Sequence, residues 1–220
     1  LIYRIGNAIP VPFIDTALMA AYFEANLSNT ILGFYNTMAG NAFSQASVLA
    51  LGIQPYINAS IIIQLLTIAI PALERLAKEG GEEGKRKIER ITRYTTVALG
   101  LLLGWAYYMM LHNYSASGFS IITKEGFLPA LVIILAFAAG SSVVMWLGEQ
   151  ITEFGIGNGI SMILFANIIS SLPSGISTLF GLKWWLSVII VVVMVLLVLF
   201  IVFIHDAERR IPVQYAKRVV

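Results

Sequence analysis

The chain has 220 residues, 58% of them hydrophobic and only 12% charged, with a formal net charge of +2 and a mean hydropathy of +0.83. Soluble domains average about 25% charged residues, so this composition excludes one and gives an all-α polytopic membrane protein. The absence of cysteine excludes disulfides and thiolate metal sites.

Residues 1–9 are apolar apart from Tyr3, Arg4 and Asn7 and are too short for a crossing of about 20 residues. They read as the tail of a first span, ended by Pro10 and Pro12. Opening on Leu1 and showing no helix stop at 216–220, the sequence is expected to be clipped at both ends. Residues 15–38 are mixed, with a polar middle that suits a segment outside the bilayer. Residues 39–51 are rich in small residues, too polar to span, and suit a short helix buried against others. Gly52 and Pro55 separate that stretch from a span over 55–73, with Pro71 near its far end.

Within that span the residues sort by depth. At 100° per residue Ile53, Ile57, Ser60, Gln64 and Thr67 share one stripe about 80° wide. Lipid penalises the polar members of such a stripe, whereas a partly wet cavity with an apolar constriction accommodates all five. Residues 74–93 are strongly charged, with a glycine-rich turn at 80–84. Further spans are expected at 94–111, at 127–147 with small residues at its middle, from 160 with an interruption around Pro173 and Gly175, and at 184–204. Trp105, Tyr107 and Tyr108 mark an interfacial belt.

Lys and Arg set the orientation. The segments 74–93, 148–159 and 205–218 hold eleven of them, and the loops on the other side hold two, Lys124 and Lys183. The first group is therefore expected to be cytoplasmic, in a multi-pass membrane chain. No metalloprotease, hydrolase or phosphate-loop motif is present, and His112 and His205 lie at opposite faces. No enzyme activity, metal or cofactor is expected. Glu149 and Glu153 read as a solvated helix end. Arg4 has two readings, a charge near a pore or a side chain snorkelling to the interface.

On the fifth span Ile160 and Leu164 repeat the four-residue spacing of Ile53 and Ile57. Asn167 and Ser171 fall within about 40° of that stripe. Polar faces on both sides of an apolar waist describe an hourglass. Ordinary packing and interhelical hydrogen bonding, worth about 0.6 kcal/mol each, are the alternative for these residues. An ion-coupled secondary transporter with broken helices is the rival from another class, but it calls for an ionisable midplane group and none lies in this waist.

The run Gly52-Ile53-Gln54-Pro55-Tyr56-Ile57-Asn58-Ala59-Ser60-Ile61-Ile62-Ile63-Gln64 resembles the second-helix signature of the SecY family, the channel subunits of the bacterial protein translocase. Four more blocks agree in family order: Arg4-Ile5-Gly6 through Pro12; Gly84-Lys85-Arg86-Lys87 through Tyr94; Met145-Trp146-Leu147-Gly148-Glu149 through Ser161; and Arg209-Arg210-Ile211 through Arg218. The resemblance implies a SecY-type half-channel with a short plug helix. Residues 1–173 would form the N-terminal half, 174–183 an external hinge loop, and 184–220 the sixth helix with the start of a cytoplasmic loop.

By resemblance Ile53, Ile57, Ile160 and Leu164 belong to the pore ring, with Leu164 where Ile is commoner. The plug would cover 34–47, including Tyr35, Asn36, Gly40, Asn41, Phe43 and Ser44. The family often has Gly-Gly where this chain reads Gly40-Asn41, and Asn adopts left-handed backbone less readily than Gly. Ser60, Gln64, Thr67, Asn167 and Ser171 would line the funnels or the lateral gate. Arg209, Arg210, Lys217 and Arg218 would dock the ribosome or the motor ATPase SecA. SecE and SecG would be the small subunits, and signal peptides, secretory chains and membrane lipid the other partners.

Overall fold

The computed structural model describes residues 2–116, 121–124, 126–155, 157–181 and 183–207. Arg209, Arg210, Lys217 and Arg218, expected as a docking loop, lie outside the described residues. The described residues form helices joined by turns, with two isolated bridges, Pro10 to Ser47 and Ile14 to Ile122. The helices are α1 (Ile2–Asn7), α2 (Thr16–Asn26), α3 (Ile31–Met38), α4 (Gln54–Ala69), α5 (Pro71–Glu79), α6 (Gly81–Ala116), α7 (Phe127–Phe154), α8 (Gly159–Gly181) and α9 (Trp184–His205). Two compact units result, residues 1–171 and residues 172–220.

Local chemistry explains most boundaries. Asp15 caps α2 by accepting hydrogen bonds from the Ala17 and Leu18 amides at 3.0 and 3.1 Å, and Thr30 caps α3 by accepting from Leu32 N at 3.2 Å. Ile70 is extended (φ −108°, ψ 113°), because the ring of Pro71 disfavours helical backbone before it. The chain bends there by 101°. The expected span over 55–73 thus stops at Ala69, and α5 leaves its axis.

The charged stretch expected as a loop is also helical. α6 starts at Gly81 and runs 36 residues, or about 54 Å, because its Glu, Lys and Arg are strong helix formers. The long apolar helices Gly81–Ser115, Phe127–Phe154 and Trp184–His205 can each cross a membrane, and the bent pair α4–α5 can supply a fourth crossing. The chain is a multi-pass membrane protein.

Two further expectations are corrected. The stretch 39–51 is not a helix but a series of turns continuing to Ile53. Gly40 (φ 67°), Asn41 (φ 66°) and Ala46 (φ 45°) are all left-handed, and each such residue stops α-helical propagation. Asn41 therefore takes the same backbone as the glycine before it. The hinge loop expected at 174–183 is helical as far as Gly181, with Pro173 inside α8. One missing amide is tolerated there, since an apolar medium favours helix wherever backbone groups would otherwise go unpaired. In the second unit, Ser187 Oγ donates to Leu179 O at 2.7 Å, and no residue of α9 is buried.

The core of the first unit forms around the turn segment. Phe43 meets Phe23, Tyr35 and Tyr107 edge-on at centroid distances of 5.8, 5.1 and 4.7 Å, and Tyr107 meets Phe137 at 4.7 Å. Tyr107 Oη donates to Phe43 O at 2.8 Å, so a phenol deep in the core satisfies a turn carbonyl. α7 reaches this segment through Gly140, where a Cβ would overlap Val48 O. Gly140→Val should cost about 1–3 kcal/mol or more by overpacking, whereas Ala139→Val, at an exposed neighbour, should be near neutral. Thermal unfolding in detergent, followed by circular dichroism, checks the contrast.

Candidate channel constriction and its cover

Ile53 ends the turn segment, and Ile57 N donates back to Ile53 O at 3.1 Å. The two side chains therefore stack one turn apart. Ile160 is placed by the turn before α8. Asn158 Oδ1 accepts from Ile160 N at 3.0 Å and Ser161 N at 3.3 Å, which is an N-cap. Thr152 Oγ1 accepts from Gly159 N at 2.9 Å. Gly159 sits so close to α7 that a Cβ would overlap Gly148 O, and this contact brings the start of α8 against α7.

These local devices unite the four apolar residues. Ile53 is buried in a cluster with Leu49, Val144 and Ile163, and Ile57, Ile160 and Leu164 pack against that cluster. Apolar side chains from α8, α7 and the start of α4 thus meet at one level. Tyr3 and Tyr56 also pack against this cluster.

The turn segment covers it on one side. Met38, Ala39, Leu51, Gly52, Ile53 and Leu164 enclose, with Tyr35 and Gln54, a crevice of only ≈ 10 Å³, about the space of one water. Asn36 organises the cover from within. Its Oδ1 accepts from Ser44 N at 2.8 Å, and its Nδ2 donates to Asn41 Oδ1 at 3.2 Å. Ser44 Oγ donates to Asn41 O at 3.1 Å, and Tyr35 Oη donates to Leu51 O at 2.8 Å.

The residues expected to line funnels divide into two kinds. Gln64 Nε2 donates to Ser60 Oγ at 3.4 Å, and Thr67 Oγ1 donates to Gln64 O at 2.6 Å, forming an exposed polar ladder on α4. Ser171 Oγ donates to Ile168 O at 2.7 Å, and the residue is half-buried. Asn167 is different: it is 2% exposed, and its Nδ2 donates to Met38 O at 3.0 Å. It lines no open funnel in this structure but holds the cover. Tyr3 Oη donates to Ala39 O at 3.0 Å, and Asn7 Nδ2 lies 3.4 Å from both Ala39 O and Gly40 O. Asn7 Oδ1 is buried without a hydrogen-bond partner. Sequence reasoning missed Tyr3 and Asn7. Their polarity inside an otherwise apolar span was the available signal. Arg4, between them, is exposed.

On the other side of the cluster opens a cavity of ≈ 560 Å³ lined by Tyr56, Ile160 and residues of both charge signs, among them Arg86, Glu89, Arg90, Arg93, Glu149 and Glu153. Arg93 Nε donates to Glu149 Oε1 at 2.8 Å, tying α6 to α7. Among the described residues no group of three or more His, Asp or Glu could hold a metal ion.

Long apolar helices, with an apolar cluster in the first unit between a cavity lined by charges and a hydrogen-bonded turn segment, define a multi-pass membrane protein. The SecY family model matches residues 47–219, and the chain belongs to the SecY family. It is 43% identical to protein translocase subunit SecY of Pseudomonas aeruginosa, over 99% of this chain and 49% of that protein. It is 42% identical to protein translocase subunit SecY of Escherichia coli K12, over 99% of this chain and 50% of that protein. The protein of the same name from Streptomyces scabiei is 40% identical over 100% of this chain and 53% of its own length. The chain thus spans about half the length of the curated relatives it matches.

The ion pair gives a quantitative expectation. The Arg93 and Glu149 side chains are 52% and 22% exposed, so a double-mutant cycle (Arg93→Gln, Glu149→Gln) should give a coupling of about 0.2–1 kcal/mol. Thermal unfolding at low and high salt checks it, because screening should shrink the coupling of so exposed a pair.

Proposed function

We propose that this chain supplies one half of a protein-conducting channel, which passes unfolded secretory chains across the cytoplasmic membrane and membrane segments into it. The observation that carries this reading is the convergence of Ile53, Ile57, Ile160 and Leu164 on one apolar cluster beneath a close-fitting cover. Branched apolar side chains at a constriction exclude water and ions when the path is empty. They also deform around side chains of varied size, because dispersion contacts carry no directional demand.

The four residues act as this half's share of a pore ring. Residues 34–47 act as the plug, with Tyr35, Asn36, Gly40, Asn41, Phe43 and Ser44 as its working parts. Ser60, Gln64, Thr67 and Ser171 line the wet approaches, and Gln64 stands at the edge that opens toward lipid. The vestibule beside Ile160 faces the cytoplasm, as the weight of Lys and Arg on the 74–93 segment supports. Arg209, Arg210, Lys217 and Arg218 form a basic surface for ribosomal RNA phosphates and for the acidic patches of SecA. SecE and SecG are the small subunits of the assembly. No catalytic role is assigned to any residue. An ion-coupled carrier lacks support, because the family matched and the similar proteins are protein translocase subunits.

A photo-crosslinking residue at Ile57 or Ile160 should form an adduct with a secretory chain stalled in transit. The same probe at Leu196, on the exposed surface of α9, should not. Absence of an adduct at either waist position, with transit of the chain verified, overturns the assignment.

A further inference from the structure

The end of α3 presents a problem that its own backbone does not solve. The last carbonyls of a helix lack intrahelical partners. Here Tyr35 O, Asn36 O and Thr37 O accept from the amides of Ala39, Asn41 and Gly40. The next three carbonyls, of Met38, Ala39 and Gly40, face side chains from far along the sequence, with Ala39 O also accepting from Ala42 N at 3.4 Å. Asn167 of α8 serves the first, Tyr3 and Asn7 of α1 the second, and Asn7 the third. A Cβ on Gly40 would lie 3.2 Å from Asn167 Cγ and 3.3 Å from Asn7 Nδ2. The left-handed glycine is therefore gripped between the two amides.

We infer that Tyr3, Asn7 and Asn167 form a three-point side-chain latch that holds the 38–40 segment over the apolar waist and sets how readily the path opens. This rests on the channel reading above and adds positioning residues to it. Asn167 lies one turn beyond Leu164, on the same face of α8 as Ile160. One helical stripe therefore supplies both waist and latch. A chain that widens the waist by displacing α8 also withdraws the donor from Met38 O, so the cover loosens when the waist yields. The grip is weakest at Asn7, where both contacts are 3.4 Å long. Such a latch releases more easily than a saturated one.

The test uses the full-length protein that carries this sequence, with its co-purifying subunits, in planar bilayers. Resting ion conductance is recorded without a secretory chain. Tyr3→Phe removes one hydroxyl and Asn167→Leu one amide at nearly constant shape. Each should raise the open fraction about two- to tenfold, the equivalent of one net hydrogen bond, and the double variant should exceed either. Ser142→Ala removes a hydroxyl that donates to Ala138 O within α7 at 2.8 Å and should leave the resting conductance at baseline. Should Asn167→Leu fail to assemble, Tyr3→Phe carries the test alone. Deletion of residues 40–44 separates the two levels of inference. If the deletion raises conductance while Tyr3→Phe and Asn167→Leu do not, the latch is overturned and the channel stands. If the deletion also leaves the bilayer sealed, the cover has no closing role, and both the plug assignment and the latch fall.

Discussion

Backbone hydrogen bonding in an apolar place is the constraint on which this structure depends. A chain that reverses direction inside a membrane protein exposes carbonyls that helices would have paired, and lipid offers them no donor. The turn segment from Ala39 to Ile53 is such a reversal. It is held by Tyr3, Asn7, Tyr35, Tyr107 and Asn167, each donating to one of its carbonyls or to that of Met38 just before it. Those donors come from α1, α3, α6 and α8. Satisfying one short irregular stretch therefore draws the elements of the first unit together.

Two kinds of force meet at this point, with different consequences. The waist is held by apolar burial, worth about 25 cal/mol per Å² and indifferent to direction. It can deform and recover without passing through a single broken contact. The cover is held by hydrogen bonds, which are directional and fail over a few tenths of an ångström. On the channel reading proposed above, a soft constriction beneath a switchable lid gives a barrier that is tight at rest and yielding when filled. Phe43 adds depth to the closed state. Its edge-on contacts with three rings contribute about 0.5–1.5 kcal/mol each beyond area burial, so removing the cover also means unseating an aromatic side chain from the core.

The shared apolar packing of Ile53, Ile57, Ile160 and Leu164 was legible because it is written in periodicity: four-residue spacings on two helices put them on stripes that a sequence displays directly. Residues 39–51 were not, because Ala, Ser and Gly are compatible with helix and turn alike. The decision lies in the left-handed backbone of Gly40, Asn41 and Ala46, which only the surrounding packing stabilises for the last two. The sharp bend at Ile70 was legible in principle from Pro71, whereas the helical start of α6 was obscured by Gly80, Gly81 and Gly84 within a run of strong helix formers. Asn167 shows the limit most clearly. Periodicity places it on the inner face of α8, but not which neighbour occupies that face, and the neighbour turns a wet lining into a buried donor.

On the channel reading proposed above, the charged cavity beside Ile160 shows why weak electrostatics suits a conduit. Its lining pairs Arg86, Arg90 and Arg93 with Glu89, Glu149 and Glu153, three charges of each sign around one cavity. A vestibule of a single sign would focus its field on any oppositely charged stretch of a passing polypeptide and hold it. Mixed signs cancel beyond a Debye length of about 8 Å at physiological salt. The charges still hold α6 and α7 in register through Arg93 and Glu149, because that pair is in direct contact at 2.8 Å. Structural cohesion at short range and near-neutrality at long range thus come from the same side chains. On that proposed reading, selection is left to size and to the apolar barrier, which treats acidic, basic and neutral segments alike once they are extended.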